Sequence, residues 1–171
     1  MKTIPEVEVA KQELSLHPNE GKWYFNGKAF SGFAISYHAN GVMAERLGYF
    51  EGKKEGVARK WYEDGSLQKE SYYRANRLDG KLQTWWENGT VAVESNYQNG
   101  VRHGEQKKWF ANGQLASLTN WHEGKEEGLQ QAWLANGKIY VNYEAKNGRS
   151  FGLRKATLCY ELDDEKIQFV K

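Results

Sequence analysis

The stretch GKLQTWWENGTVAVESNYQNGVRHG, residues 80–104, decides the fold, because it holds one complete unit of a repeat that runs through most of the chain. Asn88-Gly89 is the dipeptide that most strongly signals a hairpin turn. The segments on either side of it have strand length and are rich in β-forming residues. The G-x-x-x-G segment from Gly100 to Gly104 predicts a second turn. One unit is therefore predicted to be two antiparallel strands and two turns.

Leading glycines recur at a constant step of 24 residues, at Gly32, Gly56, Gly80, Gly104, Gly128 and Gly152. In the first five units a second glycine, always preceded by Asn or Asp, follows nine residues later. A third stands four residues before the next leading glycine, and Asn76 replaces it once. Because Asn tolerates a left-handed backbone, we expect a positive φ at Asn76. Successive units are predicted to add hairpins to one elongated, single-layer, twisted antiparallel sheet, which is an all-β fold.

The array is predicted to span residues 32–151 and to carry a cap at each end, because a terminal repeat has a neighbour on one side only. Residues 1–31 predict short capping strands and a degenerate half repeat, and residues 152–171 predict a closing hairpin. Acidic side chains near both ends would oppose edge-to-edge growth of the sheet. They are Glu6, Glu8, Asp163, Asp164 and Glu165.

Charge and composition narrow the classes of partner. The 24 basic and 22 acidic residues are interspersed and give a formal charge of +2, so nucleic acid is not an expected partner. The single cysteine, Cys159, cannot form an intramolecular disulfide and is expected to be a small buried apolar residue. No apolar run has bilayer length, and the first 22 residues lack the apolar core of a signal peptide. These features predict a soluble chain, either cytoplasmic or the mature form of an exported protein.

No residue pattern indicates catalysis. The histidines fall at different repeat positions, without the spacing of a metal site, at His17, His38, His103 and His122. Cys159 has no histidine nearby in sequence, and neither a G-x-S-x-G elbow nor a phosphate-binding loop occurs. The sequence therefore predicts a protein that is not an enzyme and that needs no metal or cofactor.

Aromatic residues recur at two positions of the unit and predict a structural ladder. Five residues after the leading glycine stand Tyr37, Trp61, Trp85, Trp109 and Trp133. Seventeen after it stand Tyr49, Tyr73, Tyr97 and Trp121, and the series is broken at Ala145. Eleven after it stand Met43, Leu67, Val91, Leu115 and Ile139. Because a single sheet has no second layer, its own large side chains are expected to supply the core.

The sixth position differs from unit to unit, and it carries His38, Tyr62, Trp86, Phe110 and Leu134. Strand alternation places positions four and six on the face opposite to positions three and five. A position that varies in a regular array is one that the fold is not expected to dictate. Tyr62, Trp86 and Phe110, flanked by Lys60 and Lys108, are therefore a candidate partner-binding patch. The alternative is that a single-layer sheet simply needs aromatic cover on both faces.

The unit YFEGKKEGVARKWYEDGSLQKESYY, residues 49–73, resembles the MORN repeat in its bacterial variant, Y-x-x-G-x-x-x-G-x-x-x-x-W-Y-x-N/D-G-x-L-x-x-E. Five successive units from Gly32 to Gly152 carry the pattern. The chain is thereby similar to bacterial proteins of the YwqK-type antitoxin family. The resemblance implies a module for protein interaction, self-association or membrane association, and it implies no catalytic residues.

Together these features predict a non-enzymatic repeat scaffold that binds another protein, or a second copy of itself, through a broad sheet face. The alternative is an envelope-associated module that binds lipid headgroups or glycan.

Overall fold

The computed structural model describes residues 2–154, 160–163 and 166–169. Within these ranges the chain forms eighteen strands and one 3-10 turn at Lys11–Glu13. The strands are β1 (Glu8–Ala10), β2 (Ser15–His17), β3 (Lys22–Phe25), β4 (Lys28–Ala29), β5 (Gly32–Tyr37), β6 (Met43–Phe50), β7 (Lys53–Trp61), β8 (Leu67–Arg74), β9 (Arg77–Trp85), β10 (Val91–Gln98), β11 (Val101–Arg102), β12 (Gly104–Trp109), β13 (Leu115–His122), β14 (Lys125–Trp133), β15 (Ile139–Lys146), β16 (Arg149–Leu153), β17 (Tyr160–Asp163) and β18 (Lys166–Phe169). The expectations for Cys159, Asp164 and Glu165 lie outside the described residues.

Thirteen strands form one sheet, in which β5 to β16 follow each other in chain order and β11 extends the edge of β10. Every neighbouring pair along β5 to β16 is antiparallel, which confirms the predicted sheet of consecutive hairpins. The exception is β1, which pairs with β5 in parallel. Strands β17 and β18 form a separate antiparallel pair.

The two kinds of turn differ from each other. At Asn88-Gly89 the Asn side chain accepts a hydrogen bond from the N–H of Thr90, at 3.0 Å, and only the glycine has a positive φ. The Asn or Asp side chain makes the same bond in the other four units. The predicted hairpin turns are therefore confirmed at this position, with the carboxamide or carboxylate closing each loop.

The turn predicted from Gly100 to Gly104 is shorter than expected and begins one residue earlier. The chain reverses within two residues, Asn99 (φ 52°) and Gly100 (φ 89°), which is the backbone of a two-residue type I′ hairpin. Strand structure resumes at Val101. The expected positive φ at Asn76 is found, at 73°. The leading glycine thus lies within a strand or at its start, because the tight turn needs only the residue pair before it.

In the first four units the leading glycine lies opposite an aromatic residue of the seventeenth position, for example Gly56 opposite Tyr73 and Gly80 opposite Tyr97. Each aromatic residue of the fifth position lies opposite an aliphatic one, as Trp61 does opposite Leu67. Within the described chain no two rings of the predicted ladder are in aromatic contact. The rings do not stack because equivalent residues occupy alternate strands, about 10 Å apart. Cross-strand packing takes the place of stacking.

Burial of the ladder varies along the array. Tyr49 is 1% exposed, whereas Tyr37 is 56% exposed. The other members are half-buried, namely Trp61, Trp85, Trp109, Trp133, Tyr73, Tyr97 and Trp121. In the fifth unit, where Ala145 interrupts the series, the buried ring is Tyr143, which lies opposite Gly152.

A second layer covers the N-terminal end of the sheet, where a single layer was predicted. Strands β2, β3 and β4 form a small sheet of their own. Trp23 and Phe30 contact the ring of Tyr49, with centroid distances of 6.2 and 5.9 Å. The resulting core also contains Val9, Leu14, Ala34, Leu47 and Ala58. This N-terminal cap, residues 8–30, gives the first unit the cover that the later units lack.

Candidate functional site

One face of the large sheet carries the side chains at the second and fourth positions of each unit, and we call it the groove face. Strand register places the fourth-position residues and their cross-strand partners in one row. In order the row is Ser36, Glu45, Lys60, Lys69, Thr84, Val93, Lys108, Ser117, Ala132 and Val141. Neighbours in the row are about 4.8 Å apart.

The groove face is concave, because small residues along its centre are buried although no second layer covers them. Ser71 and Ser95 are both buried, and Ser71 is only 2% exposed. Tyr73 and Trp121 line hollows on one side of these residues. The sixth-position side chains line hollows on the other side. Large side chains therefore flank a small-residue floor and form a groove across the strands.

A hollow of about 560 Å³ opens in the middle of this groove, and we call it the central hollow. Tyr62, Trp86 and Phe110 line it together with Lys108. Trp86 is 41% exposed, an unusual degree for so large an apolar side chain. The structure thus brings together four of the five residues that the sequence singled out.

The fifth predicted residue, Lys60, lies beside the central hollow and not in it. It lines an adjoining hollow of about 620 Å³, and its Nζ lies 3.6 Å from an Oε atom of Glu45. Lys69 takes its place in the central hollow. Sequence reasoning missed Lys69, although the hairpin itself holds the signal, because Lys69 lies directly opposite Lys60 in the register.

The sixth-position side chains make a regular set of hydrogen bonds from one unit to the next. Tyr62 donates its hydroxyl hydrogen to the carbonyl oxygen of Trp85, at 2.7 Å, and Trp86 Nε1 donates to the carbonyl of Trp109, at 3.1 Å. His38 Nε2 lies 2.9 Å from the carbonyl oxygen of Trp61. The expectation that the fold leaves this position free is therefore wrong for these three residues. Phe110 and Leu134 cannot donate such a bond.

Charged side chains on the groove face gather at one side of the central hollow, where Lys60 and Lys69 lie near Glu45. Burial, followed by the positive charge of Lys60, holds the pKa of Lys69 below its usual range. For Glu45, burial acts to raise the pKa, but the ammonium groups of Lys11 and Lys60 outweigh it and keep the pKa below its usual value. The groove is therefore positively charged next to its aromatic centre.

Neither a cluster of metal ligands nor a membrane-spanning helix occurs in the described part of the chain. Within it, no three His, Cys, Asp or Glu side chains come together as a metal site requires. His103 and His122 approach each other, with ring centroids 5.3 Å apart. Across the same residues, the model has no helix with the length and apolarity that a bilayer crossing needs.

The fold and the groove define a class of protein, a β-hairpin repeat array with one open concave face. Comparison with protein families makes this specific: the model of the MORN repeat variant matches residues 54–75, 78–99 and 102–123. Three consecutive segments in the middle of the chain thus match the MORN repeat variant, and these segments contribute the residues of the central hollow.

No curated protein matches the sequence. Among solved structures, the crystal structure of TarM is similar over 66% of this chain and 20% of that chain, with 14% sequence identity and a TM-score of 0.30. The chain therefore spans about a fifth of the length of TarM. A likeness at this TM-score carries no argument about fold or function.

Proposed function

We propose that the protein is a non-enzymatic repeat scaffold that binds a protein partner through the groove face, with the central hollow as the main contact. The observation that carries the proposal is the open hollow lined by Tyr62, Trp86 and Phe110. Exposed aromatic side chains grouped in a depression are the usual energetic centre of a protein interface. The match to the MORN repeat variant supports the same class of function.

A comparison of the capped first unit with the open third unit supports the groove face as the binding surface. In the first unit, Trp23 and Phe30 of the cap cover the groove face and bury Tyr49. In the third unit no described residue plays that part, and Trp86 stays exposed. A partner that inserts apolar side chains into the central hollow would do for the middle of the sheet what the cap does for its end. An antitoxin role would be the special case in which this partner is a toxin.

The decisive variant is Phe110→Ala, because the Phe110 side chain lines the hollow but cannot donate a hydrogen bond to the fold. Leu129→Ala is its matched control, since Leu129 is 43% exposed and alternation places it on the opposite face. The protein is used to capture partners from the native host, and each purified candidate is then titrated against wild type and both variants. We expect Phe110→Ala to weaken binding about tenfold or more and Leu129→Ala to leave it unchanged.

Two further measurements separate the other classes of ligand. Light scattering over a concentration series tests self-association, and a mass that doubles in wild type but not in Phe110→Ala would identify a second copy as the partner. Liposome co-sedimentation and a glycan array test lipid headgroups and sugars. Binding in either assay that is lost in Phe110→Ala, with no protein captured, would overturn the proposal in favour of that ligand.

A further inference from the structure

A second hollow, of about 230 Å³, lies beside the central hollow on the groove face, and we call it the lysine hollow. Four lysines line it, namely Lys11, Lys54, Lys60 and Lys69. Of the described residues around it, Glu45 alone is acidic. Three positive charges are therefore left unbalanced in one small depression, in a chain whose formal charge is only +2.

Glu45 is already engaged by two of these lysines. It accepts a short hydrogen bond from Lys11 and lies 3.6 Å from Lys60. Within the described chain, Lys54 and Lys69 have no carboxylate within ion-pair distance. The Nζ atom of Lys54 lies instead 5.4 Å from the centre of the Tyr73 ring. These two ammonium groups are free to bind an anion.

The position of Lys69 makes such an anion energetically useful. Lys69 is half-buried, and it faces Lys60 directly across the strand pair. Partial loss of water and a like charge nearby both disfavour an ammonium ion, and a bound carboxylate relieves both effects. The cluster is arranged to receive negative charge from outside the chain.

The lysine hollow and the central hollow are parts of one surface, because Lys69 lines both. The first is centred on β7 and β8 and the second on β9 and β10, which places them about 10 Å apart. An extended peptide advances about 3.3 Å per residue. A chain that crosses both hollows would therefore place side chains about three residues apart in the two.

We propose that the lysine hollow binds the carboxylate groups of an acidic segment in the same protein partner whose apolar side chain enters the central hollow. This inference rests on the proposed function, and it gives the partner a chemical signature: an aromatic or large aliphatic residue with Asp or Glu about three positions away. The floor at Ser71 is 2% exposed, and Lys11 of the N-terminal cap closes one side. Such a recess suits a single side chain better than the flat surface of a bilayer.

The test uses the full chain and four probes: an acetylated and amidated hexaglutamate peptide, the neutral hexaglutamine peptide, inorganic phosphate, and phosphatidylserine vesicles. Binding is measured by isothermal titration calorimetry at low salt. We expect hexaglutamate to bind, hexaglutamine not to bind, and Lys54→Gln and Lys69→Gln each to weaken hexaglutamate by about five- to tenfold. The control is Lys81→Gln, which removes the same charge from the opposite face, where Lys81 pairs with Glu94 at 2.8 Å; it should change binding less than twofold.

The remaining outcomes would overturn the inference. If Lys54→Gln, Lys69→Gln and Lys81→Gln weaken hexaglutamate binding equally, the peptide is attracted only by the net charge of the protein. If phosphate binds saturably and hexaglutamate does not bind, the hollow is a site for a phosphoryl group. If phosphatidylserine vesicles bind and neither phosphate nor hexaglutamate does, the hollow is a membrane contact. Lys69→Gln should also unfold no earlier than wild type in denaturant, because it removes a repulsion; clear destabilisation would indicate a structural role instead.

The result is separable from the proposed function. Phe110→Ala should leave hexaglutamate affinity unchanged, because Phe110 does not line the lysine hollow. If partner binding proves indifferent to Phe110→Ala while hexaglutamate still depends on Lys54 and Lys69, the central hollow is not the partner contact and the anion site remains.

Discussion

The first and third units have the same lattice of glycines and aromatic residues but different surroundings. In the first unit the N-terminal cap covers the groove face, and Tyr49 is 1% exposed. In the third unit the same face is open, the equivalent Tyr97 is half-buried, and Trp86 is 41% exposed. The repeat therefore determines the strands and their register, whereas neighbours outside the repeat determine burial. We expect this division to appear in the stability of these two units and of the other units of the array.

The largest difference is expected between two equivalent tyrosines. Tyr49→Ala should cost about 3 to 5 kcal/mol in the free energy of unfolding, because it leaves a cavity where the Tyr49 ring had packed against Trp23 and Phe30. Tyr97→Ala should cost about 1 to 2 kcal/mol, since less apolar surface returns to water. Guanidinium unfolding followed by tryptophan fluorescence compares the two. Equal losses would show that the cap adds nothing to the first unit.

A second difference concerns the leading glycines. A Cβ atom at Gly32 would lie 2.5 Å from the carbonyl oxygen of Val7 and 2.8 Å from the Phe30 ring, so Gly32→Ala should displace β1 and cost at least about 2 kcal/mol. At Gly104 no heavy atom lies within 4 Å of that Cβ, and only the φ of 75° is unfavourable. Gly104→Ala should cost about 1 kcal/mol. Thermal midpoints measure both, and a larger loss at Gly104 would contradict the account.

A third difference lies at the residue before each leading glycine. Glu55 accepts a hydrogen bond from the N–H of Ala75, at 3.0 Å, and Asp79 accepts one from Asn99, at 3.2 Å. In the fourth unit His103 occupies this place, and its buried Nδ1 has no partner. His103→Asp should therefore stabilise the fold by about 1 kcal/mol, measured at pH 7 by denaturant midpoint.

The matched control for His103→Asp is the reverse exchange, from Asp to His, at the equivalent position of the third unit. Asp79→His should destabilise the third unit by a similar amount, because the turn N–H of Asn99 loses its acceptor. If both substitutions lower stability, the bond at this position is not what distinguishes the units.

The smallest expected effect is a pH dependence at the capped end. The pKa of Glu45 is lowered in the fold, so its contribution to stability is complete above the ordinary value of 4.5 and is lost as the pH falls through the lowered value. Glu45→Gln should thus reduce the loss of stability between about pH 5 and pH 3. Denaturant midpoints across this range measure the effect. Identical acid profiles for wild type and variant would contradict it.

The spacing of the glycines and the Asn-Gly or Asp-Gly pairs was enough to predict the sheet, because hairpin turns at constant intervals leave one strand order. Alternation was less successful with the aromatic residues. The central hollow collects Tyr62, Trp86 and Phe110, but Trp85 and Trp109, which alternation had placed on the opposite face, also line it. The two-residue extent of the turns at Glu51-Gly52 and Ala75-Asn76 escaped prediction, because Glu51 and Ala75 have a positive φ that their residue types do not signal.

Capping strands were predicted in residues 1–31, but their packing over the groove face was not, and neither was the lysine hollow, because both depend on contacts between distant segments. Lys11 and Lys54 belong to different parts of the chain and meet only when the cap folds onto the sheet. The structure also shows why Phe110 tests function better than Trp86 does. The Trp86 side chain hydrogen-bonds to the fold, whereas the Phe110 side chain lines the same hollow and cannot do so.

The most direct test of the central claim, that the groove face of the middle units is the binding surface, is site-specific photocrosslinking in the native host. The photoreactive residue p-benzoylphenylalanine is placed at Phe110 in one variant and at Leu129, on the opposite face, in the other. We expect a discrete protein adduct from position 110 and none from position 129. Adducts from position 129 alone, or of equal yield from both positions, would contradict it.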